Sequence, residues 1–307
     1  MGRVEAVAQD DIIAVLTGSA VAAIECTAET VLLNDRYICC EQIGEGGLSL
    51  VYKAKDSYAE YFRDEKNIAV KMPTDKLLTM KDIAAFVYSE YKILSQLQHP
   101  NIVKVLDFGI NKPDGIPYII LERLEGKLLD EVPLHTLTPT KKMQLFDLLG
   151  EAIAYIHMQG VVHADIAPNN IMILDNGSMR LFDFGIAQME GSGEKFQLDF
   201  SKMRAFNPKY AAPELLAEGI PTRESDIFSF ACVMYELFTG SLPFEECSSE
   251  LYEKGVTKSQ LRRLPREVRK WFDMALNTDP GERDHTLKRC QKFSIFGWLK
   301  NKRMQIN

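Results

Sequence analysis

The sequence predicts an α+β fold with two lobes, a small β-rich lobe followed by a larger helical lobe. Between residues 36 and 122, short β-branched runs are separated by turn residues, and one amphipathic helix interrupts them. After residue 122 the apolar side chains recur with the period of a helix. Strands and helices that are segregated along a chain pack as separate layers, so we expect a cleft where the lobes join.

The composition is that of a globular chain with a net negative charge. The 307 residues are 46% hydrophobic and 26% charged, which suits one or two domains with a sizeable core. The net charge of −7 disfavours a nucleic-acid surface as the main function. The longest apolar run, residues 12–24, is interrupted by polar residues and follows two aspartates, so neither a membrane span nor a secretory signal is expected. We therefore expect a cytoplasmic protein whose six cysteines are reduced.

Four strands and one helix are predicted in the small lobe. The strands are predicted at 37–43, 49–55, 67–72 and 118–121, and the helix at 80–97. Phe86, Ile93, Leu94 and Leu97 give this helix an apolar face.

Two helices are predicted in the larger lobe. Thr138 followed by Pro139 predicts the start of the first, because threonine caps a first turn and proline fits the first helical position. The apolar stripe of this helix stops at Gly160. The second helix is predicted at 224–239, before Gly240.

The predicted domain spans residues 34–290, with the small lobe at 34–122 and the larger lobe at 123–290. Residues 1–33 precede it as an extension that contains a short amphipathic helix, either packed on the domain or serving as a partner-binding arm. Residues 291–307 form a tail of mixed aromatic and basic side chains, which either packs on the helical lobe or contacts an anionic membrane surface.

A glycine-rich turn lies between the first two predicted strands, with the sequence Ile43-Gly44-Glu45-Gly46-Gly47. Glycines let main-chain N–H groups approach a phosphate closely, because no Cβ stands in the way. The turn joins two strands rather than a strand and a helix, which argues against a dinucleotide-binding fold.

Two short segments in the second half of the chain give the most specific indication of the type of reaction. The run HADIAPNN at 163–170 contains Asp165 and Asn170, and the run LFDFG at 181–185 contains Asp183. Asp165 is suited to accept a proton from a substrate hydroxyl. Asn170 and Asp183 offer oxygen ligands to a hard cation such as Mg²⁺.

Lys71 ends the apolar run Ile68-Ala69-Val70 and is predicted to lie in the cleft. A buried ammonium group is unfavourable unless it is paired with a counter-charge. The available partner is Glu90, on the apolar face of the helix predicted at 80–97.

These segments have the order and spacing of protein kinase motifs, and the chain resembles the bacterial, eukaryotic-like type of Ser/Thr protein kinase. Three later features agree, namely YAAPE at 210–214, SDIFS at 225–229, and Arg283 as a partner for Glu214. The resemblance covers residues 34–290 and implies a two-lobed kinase fold, ATP and Mg²⁺ as cofactors, and a protein substrate that is phosphorylated on serine or threonine.

The resemblance also implies a role for each residue of the chemical step. Asp165 would be the catalytic base. Lys71, paired with Glu90, would hold the α- and β-phosphates of ATP, and Asn170 and Asp183 would bind Mg²⁺.

The implied adenine site lies where the lobes join. Main-chain groups of Glu122 and Leu124 would meet the adenine edge, and Leu121 would guard the inner pocket. The aliphatic side chains implied to sandwich the ring are Val51, Ala69 and Met172. Lys71 and the glycine-rich turn (Ile43, Gly44, Glu45, Gly46 and Gly47) complete the implied nucleotide site.

Three positions depart from the family pattern. Ala167 stands where a Ser/Thr kinase usually has lysine, Ala164 where an arginine usually precedes the catalytic aspartate, and Asn207 where threonine is typical. The departures predict slow transfer that does not depend on a phosphate at Ser192 or Ser201.

Two other functions stay open on the sequence. A nucleotide-binding pseudokinase that acts as a scaffold is favoured by Ala167 but disfavoured by the intact Lys71, Asp165, Asn170 and Asp183. A small-molecule kinase is disfavoured by the APE segment at 212–214.

Overall fold

The computed structural model describes residues 31–64, 67–190, 206–217, 219–244, 255–283 and 287. The short helix predicted near the N-terminus, the tail at 291–307, and both Ser192 and Ser201 lie outside these residues.

The first lobe is built on a six-stranded antiparallel sheet with the spatial order β1-β2-β3-β4-β6-β5. Its strands are β1 (Val31–Leu33), β2 (Tyr37–Glu45), β3 (Ser49–Asp56), β4 (Ile68–Pro73), β5 (Val105–Ile110) and β6 (Pro117–Glu122). The short strand β1 lies inside the segment that the sequence analysis assigned to the extension, and β5 is an addition to the predicted strands. The division at residue 33 stays a prediction.

Three helices accompany the sheet: α1 (Ser57–Tyr61), α2 (Asp75–Leu78) and α3 (Ile83–Gln96). The long helix α3 begins at Ile83 rather than at residue 80, because the carbonyl of Asp82 is the acceptor of its first main-chain hydrogen bonds. The apolar residues Ile93 and Leu94 are buried as α3 packs on β5 and β6. This packing places Glu90 on the side of the helix that faces β4.

The second lobe is mainly helical, as predicted. Its elements are β7 (Gly126–Leu128), α4 (Pro139–Met158), β8 (Val161–Val162), β9 (Ile171–Leu174), β10 (Met179–Leu181), β11 (Gln188–Met189), α5 (Pro213–Leu216), α6 (Arg223–Thr239), α7 (Lys258–Arg262) and α8 (Arg269–Ala275). The short strands pair as β10-β9-β7 and β11-β8.

The helices α4 and α6 form the base of this lobe. The Thr138 hydroxyl accepts a hydrogen bond from the Lys141 amide at 3.2 Å, which caps the start of α4 as its sequence predicts. The helix α6 is buried along most of its length, and the Phe230 ring stacks on Phe146 of α4 at 5.2 Å between centroids. It ends at Gly240, whose φ of 76° is a left-handed conformation that glycine adopts readily. No helix among the described residues is long and apolar enough to span a bilayer.

Hydrogen bonds connect the region that follows α3 to the second lobe. The Gln98 amide donates to the Tyr155 hydroxyl of α4 at 2.8 Å. Asn101 donates through Nδ2 to the Met179 carbonyl at 3.2 Å, and its own carbonyl accepts from the Leu181 amide at 2.8 Å. These bonds fix the position of β10, and Asp183, which follows β10, reaches Lys71 of β4.

Candidate active site

The glycine-rich turn forms the tip of the β2–β3 hairpin. Gly46 donates its amide hydrogen to the Ser49 carbonyl at 2.8 Å and closes the turn. A Cβ added at Gly47 would meet no atom within 4 Å, and one at Gly46 would meet only the Ser49 carbonyl oxygen, at 3.8 Å. Packing within the described chain therefore does not require these glycines, and the open space beside them suits a phosphate. Residues 43–45 form the end of β2 that leads into the turn.

The predicted ring-binding side chains lie on neighbouring strands. Val51 of β3 lies opposite Lys71 of β4, and Ala69 lies opposite Leu121 of β6. Cross-strand partners share a face of the sheet, as do residues two apart on a strand, so these four side chains project from one face. Met172 belongs to β9 of the second lobe and is partly buried.

The segment that joins the lobes has one side tied to the sheet. Glu122 donates its amide hydrogen to the Lys104 carbonyl and Arg123 donates to the Asn67 carbonyl, both at 2.9 Å. The Leu124 amide has no main-chain acceptor among the described residues. The Leu124 amide is thus available to a ligand edge, whereas the Glu122 amide is not, and the adenine contacts expected of these two residues stay a prediction.

Lys71 lies between two carboxylates. Its Nζ is 2.6 Å from Glu90 Oε1 and 2.7 Å from Asp183 Oδ1. Lys71 and Glu90 are 8% and 7% exposed. Burial acts to lower the pKa of Lys71, but the attraction of the two carboxylates raises it above its ordinary value, so the ammonium group stays charged.

Asp183 and Asn170 each keep one oxygen for a cation. Burial acts to raise the pKa of Asp183, but Lys71 outweighs it and lowers the pKa, so the carboxylate is ionised. Asp183 Oδ1 accepts from Lys71 and the Gly185 amide, whereas Oδ2 has no donor among the described residues. Asn170 directs Nδ2 to Asp165, which leaves Oδ1 with only a long contact of 3.3 Å to Asn169.

This donor set fits Mg²⁺ bound together with a phosphate ligand. Mg²⁺ prefers oxygen ligands and usually takes only one or two from the protein, the others coming from phosphates and water. Within the described ranges no cluster of three or more His, Cys, Asp or Glu side chains forms a fuller protein cage. The two oxygens of Asp183 and Asn170 are therefore a suitable protein share.

Asp165 is held by two amide donors. Asn170 Nδ2 donates to Oδ2 at 2.7 Å, and the main-chain N–H of Asn207 donates to Oδ1 at 2.9 Å. Burial raises the pKa of Asp165 above its ordinary value, and the Asn207 amide, His163 and Asn170 offset only part of that rise.

The loop that carries Asp165 is anchored from α6 by Asp226, which is 1% exposed. Asp226 Oδ2 accepts from the His163 amide at 2.8 Å and lies 2.8 Å from His157 Nε2, while Oδ1 accepts from the Ala164 amide at 2.9 Å. These bonds hold Ala164 at a φ of 69°, a left-handed conformation that is uncommon outside glycine. The sequence predicts Asp226 at the start of a helix and gives no sign of this anchoring contact.

A buried aromatic ring supports the Asp183 turn. Phe184 is fully buried, and its ring centroid lies 4.6 Å from that of His163 in an edge-to-face contact. Asp183 itself has a φ of 62°, so its backbone is held in a strained region by the surrounding contacts. The ring contact and the ion pair to Lys71 together fix the direction of the Asp183 carboxylate.

The predicted pair of Glu214 and Arg283 is present. Arg283 Nη1 lies 2.6 Å from Glu214 Oε1, and Nη2 lies 2.8 Å from Oε2. The Arg283 side chain is fully buried, and it also donates to the carbonyls of Glu224, Asn277 and Thr278. This bidentate pair ties α5 to the body of the second lobe.

Comparison with known proteins agrees with this geometry. The model of the protein kinase domain family matches residues 37–293. A probable serine/threonine-protein kinase of Clostridium perfringens is 28% identical over 266 residues, which are 84% of this chain and 37% of that protein.

Two further relatives are the serine/threonine-protein kinases PrkC of Bacillus subtilis and PknB of Mycobacterium tuberculosis. Each is 32% identical over 218 residues, which are 69% of this chain and 32% and 34% of the respective relative. The chain thus spans about a third of the length of the curated relatives that it matches. Since the family match covers most of the chain, the chain belongs to the protein kinase family.

Proposed function

We propose that this chain transfers the γ-phosphate of ATP to serine or threonine hydroxyls of protein substrates, with Mg²⁺ as the metal ion. One observation carries the proposal. The Lys71 ammonium group lies within 2.7 Å of both Glu90 and Asp183, so the cation suited to the ATP phosphates touches the carboxylate suited to the metal. The sequence-based predictions of a cytoplasmic location and of a domain at 34–290 stay predictions.

Each side chain has a defined task in the proposed reaction. Phosphoryl transfer relies on positioning and charge neutralisation, because there is little covalent chemistry for the protein to perform. Lys71 orients the phosphates, and Asp183 and Asn170 hold Mg²⁺, which neutralises phosphate charge when bound. Asp165 orients the substrate hydroxyl and accepts its proton.

The two alanines limit the rate. Ala164 and Ala167 are 4% and 0% exposed, and their methyl side chains supply no charge to the site. Loss of one preorganised cation at the transferring group lowers the rate by about 10² to 10³. Lys71 still neutralises part of the phosphate charge, so the reaction is slowed rather than prevented.

The proposal is tested by incubating the purified chain with ATP labelled on the γ-phosphate, Mg²⁺ and generic protein substrates. Phosphoserine or phosphothreonine in the product is the expected result. Nucleotide binding without any transfer would overturn the proposal in favour of a scaffold. Label found only on small molecules would overturn it in favour of a small-molecule kinase.

Activity is expected to be insensitive to the hydroxyls at Ser192 and Ser201, which lie outside the described residues. The double variant Ser192→Ala/Ser201→Ala should keep kcat/KM within about threefold of the unaltered chain. The reason is that Ala164 has no guanidinium group with which to bind a phosphate on that segment. Initial rates before and after phosphatase treatment check the expectation.

A large loss in the double variant, together with activation of the unaltered chain by phosphorylation, would contradict it. Another cation would then bind the phosphate. Lys209, which is exposed, and Lys202 and Arg204, which lie outside the described residues, would be the next positions to change.

A further inference from the structure

The Asp165 carboxylate receives one N–H donor on each oxygen. Oδ2 accepts from the Asn170 side chain at 2.7 Å, and Oδ1 accepts from the Asn207 main chain at 2.9 Å. A hydrogen bond to an ionised carboxylate is about twice as strong as one between neutral groups. Rotation of a carboxylate about its last torsion is otherwise nearly free.

We propose that the main-chain N–H of Asn207 is a positioning group for Asp165, and that it fixes the carboxylate plane at a site where no side-chain cation of the described residues does so. Asn170 alone fixes one oxygen and leaves the plane free to turn. The Asn207 donor fixes the second oxygen, so the remaining lone pairs point in a defined direction towards an incoming hydroxyl. The inference rests on the proposed function, because this direction matters only if Asp165 receives the substrate proton.

The side chain of Asn207 is not the donor. Asn207 Oδ1 accepts from the Lys209 amide at 3.2 Å, which closes a local turn, and the Asn207 carbonyl accepts from the Tyr210 amide at 3.2 Å. The turn therefore presents the Asn207 main-chain N–H outward to Asp165. The residue type matters for the shape of the turn, whereas the contact itself is made by the backbone.

The same helix supports Asp165 from both sides. The Tyr210 hydroxyl donates to Glu236 Oε2 of α6 at 2.7 Å, which anchors the turn that carries the Asn207 amide. Asp226, at the other end of α6, accepts the amides of His163 and Ala164 and so anchors the loop that carries Asp165. The segments that carry the Asn207 donor and the Asp165 acceptor are thus both anchored to α6, a buried helix, and such anchoring holds a catalytic group in a defined position.

The test removes the N–H and keeps the side chain. In a semisynthetic full-length chain, the peptide bond between Phe206 and Asn207 is replaced by an ester, which has an oxygen in place of the N–H. We expect kcat to fall by about tenfold to a hundredfold. A positioned general base raises the rate by about a hundredfold or more, and the ester leaves this base in place but less well oriented. The KM for ATP should change less than about twofold, since the ester lies away from the nucleotide residues.

The matched control is an ester between Pro208 and Lys209. It deletes an N–H in the same turn, one that donates to Asn207 Oδ1 rather than to Asp165. We expect less than a threefold change in kcat. Equal losses in the two ester proteins would overturn the inference, because they would indicate a general effect of the turn.

Combining the ester with a substitution of Asp165 distinguishes an effect on positioning from a general effect on the structure. In an Asp165→Asn background, the ester at Asn207 should lower the residual rate by less than twofold, because the group that it positions has gone. A loss as large as in the unaltered background would overturn the inference. Thermal melting confirms folding of each protein.

Failure of the inference and failure of the proposed function give different results. If the unaltered chain transfers no phosphate, the proposed function is wrong. If it transfers phosphate and the Asn207 ester protein does so at the same rate, only the positioning role is wrong.

Discussion

Asp183→Ala is expected to abolish phosphoryl transfer, with a loss of at least about a thousandfold in kcat. The substitution removes the carboxylate oxygen offered to Mg²⁺, and transfer depends on metal positioning and charge neutralisation. The fold should survive, because the Asp183 side chain is 39% exposed and Lys71 keeps its contact of 2.6 Å with Glu90. Single-turnover transfer and thermal melting measure the two expectations.

A second measurement does not depend on activity. In the unaltered chain, ATP with Mg²⁺ should raise the melting temperature more than ATP with a chelator, because ligands that bind the native state stabilise it. Asp183→Ala should remove this Mg²⁺-dependent increment. Asp175→Ala is the matched control, since Asp175 is exposed at the end of β9, and it should leave both the increment and the rate unchanged. Turnover of Asp183→Ala at the unaltered rate would show that the metal assignment is wrong.

The two-lobed α+β fold and the family are confirmed predictions, and the reason lies in patterns that are short along the chain. Asp165 and Asn170 are five residues apart, and Lys71 and Glu90 are nineteen apart. A lysine at the end of an apolar strand needs an acidic partner, and the periodicity of one helix identifies it. The structure brings both pairs together, although their roles stay proposals.

Contacts made by main-chain groups could not be predicted. The N–H that reaches Asp165 belongs to Asn207, but every residue except proline has such a donor, so residue type gives no signal. Asp226 is similar, because its carboxylate accepts amides from a loop more than sixty residues earlier. For Asn207 the sequence indicated only that the threonine typical of the family is missing.

The edge strand β5 was missed for a local reason. Its sequence VLDFGI places Asp107 and Gly109 within an apolar run, which weakens the strand pattern. The pairing with β6 shifts register between Val105 and Asp107, so the strand contains an irregularity that breaks the alternation of inward and outward side chains. A regular period of two was therefore absent from the sequence.

Lys71→Met and Glu90→Gln are each expected to lower kcat/KM by at least about a hundredfold, and the double variant should lose little more. The two side chains are buried and lie 2.6 Å apart, so they act as a unit. Without Lys71 the phosphates lose their cation. Without Glu90, the Lys71 ammonium group keeps Asp183 as its one partner among the described residues, and it then competes with Mg²⁺ for that carboxylate.

The free energy of unfolding should show the same coupling between Lys71 and Glu90. Lys71→Met leaves the buried Glu90 carboxylate without its counter-charge, and such a loss destabilises a protein by about 3 kcal/mol. Glu90→Gln should destabilise it less, because Lys71 keeps Asp183 as a partner. The double variant removes both charges, so its free energy of unfolding should exceed the value expected from adding the two single losses. Urea unfolding of the four proteins completes the double-mutant cycle.

An exposed pair in the same lobe provides the control. Lys55 Nζ lies 3.5 Å from Glu60 Oε1, and the two side chains are 44% and 50% exposed. Such surface pairs contribute about 0 to 1 kcal/mol, because water screens both charges. Lys55→Met and Glu60→Gln should therefore leave kcat/KM unchanged and show little coupling. Additive losses at Lys71 and Glu90, like those of two independent sites, would show that the buried pair does not hold the phosphates as one unit.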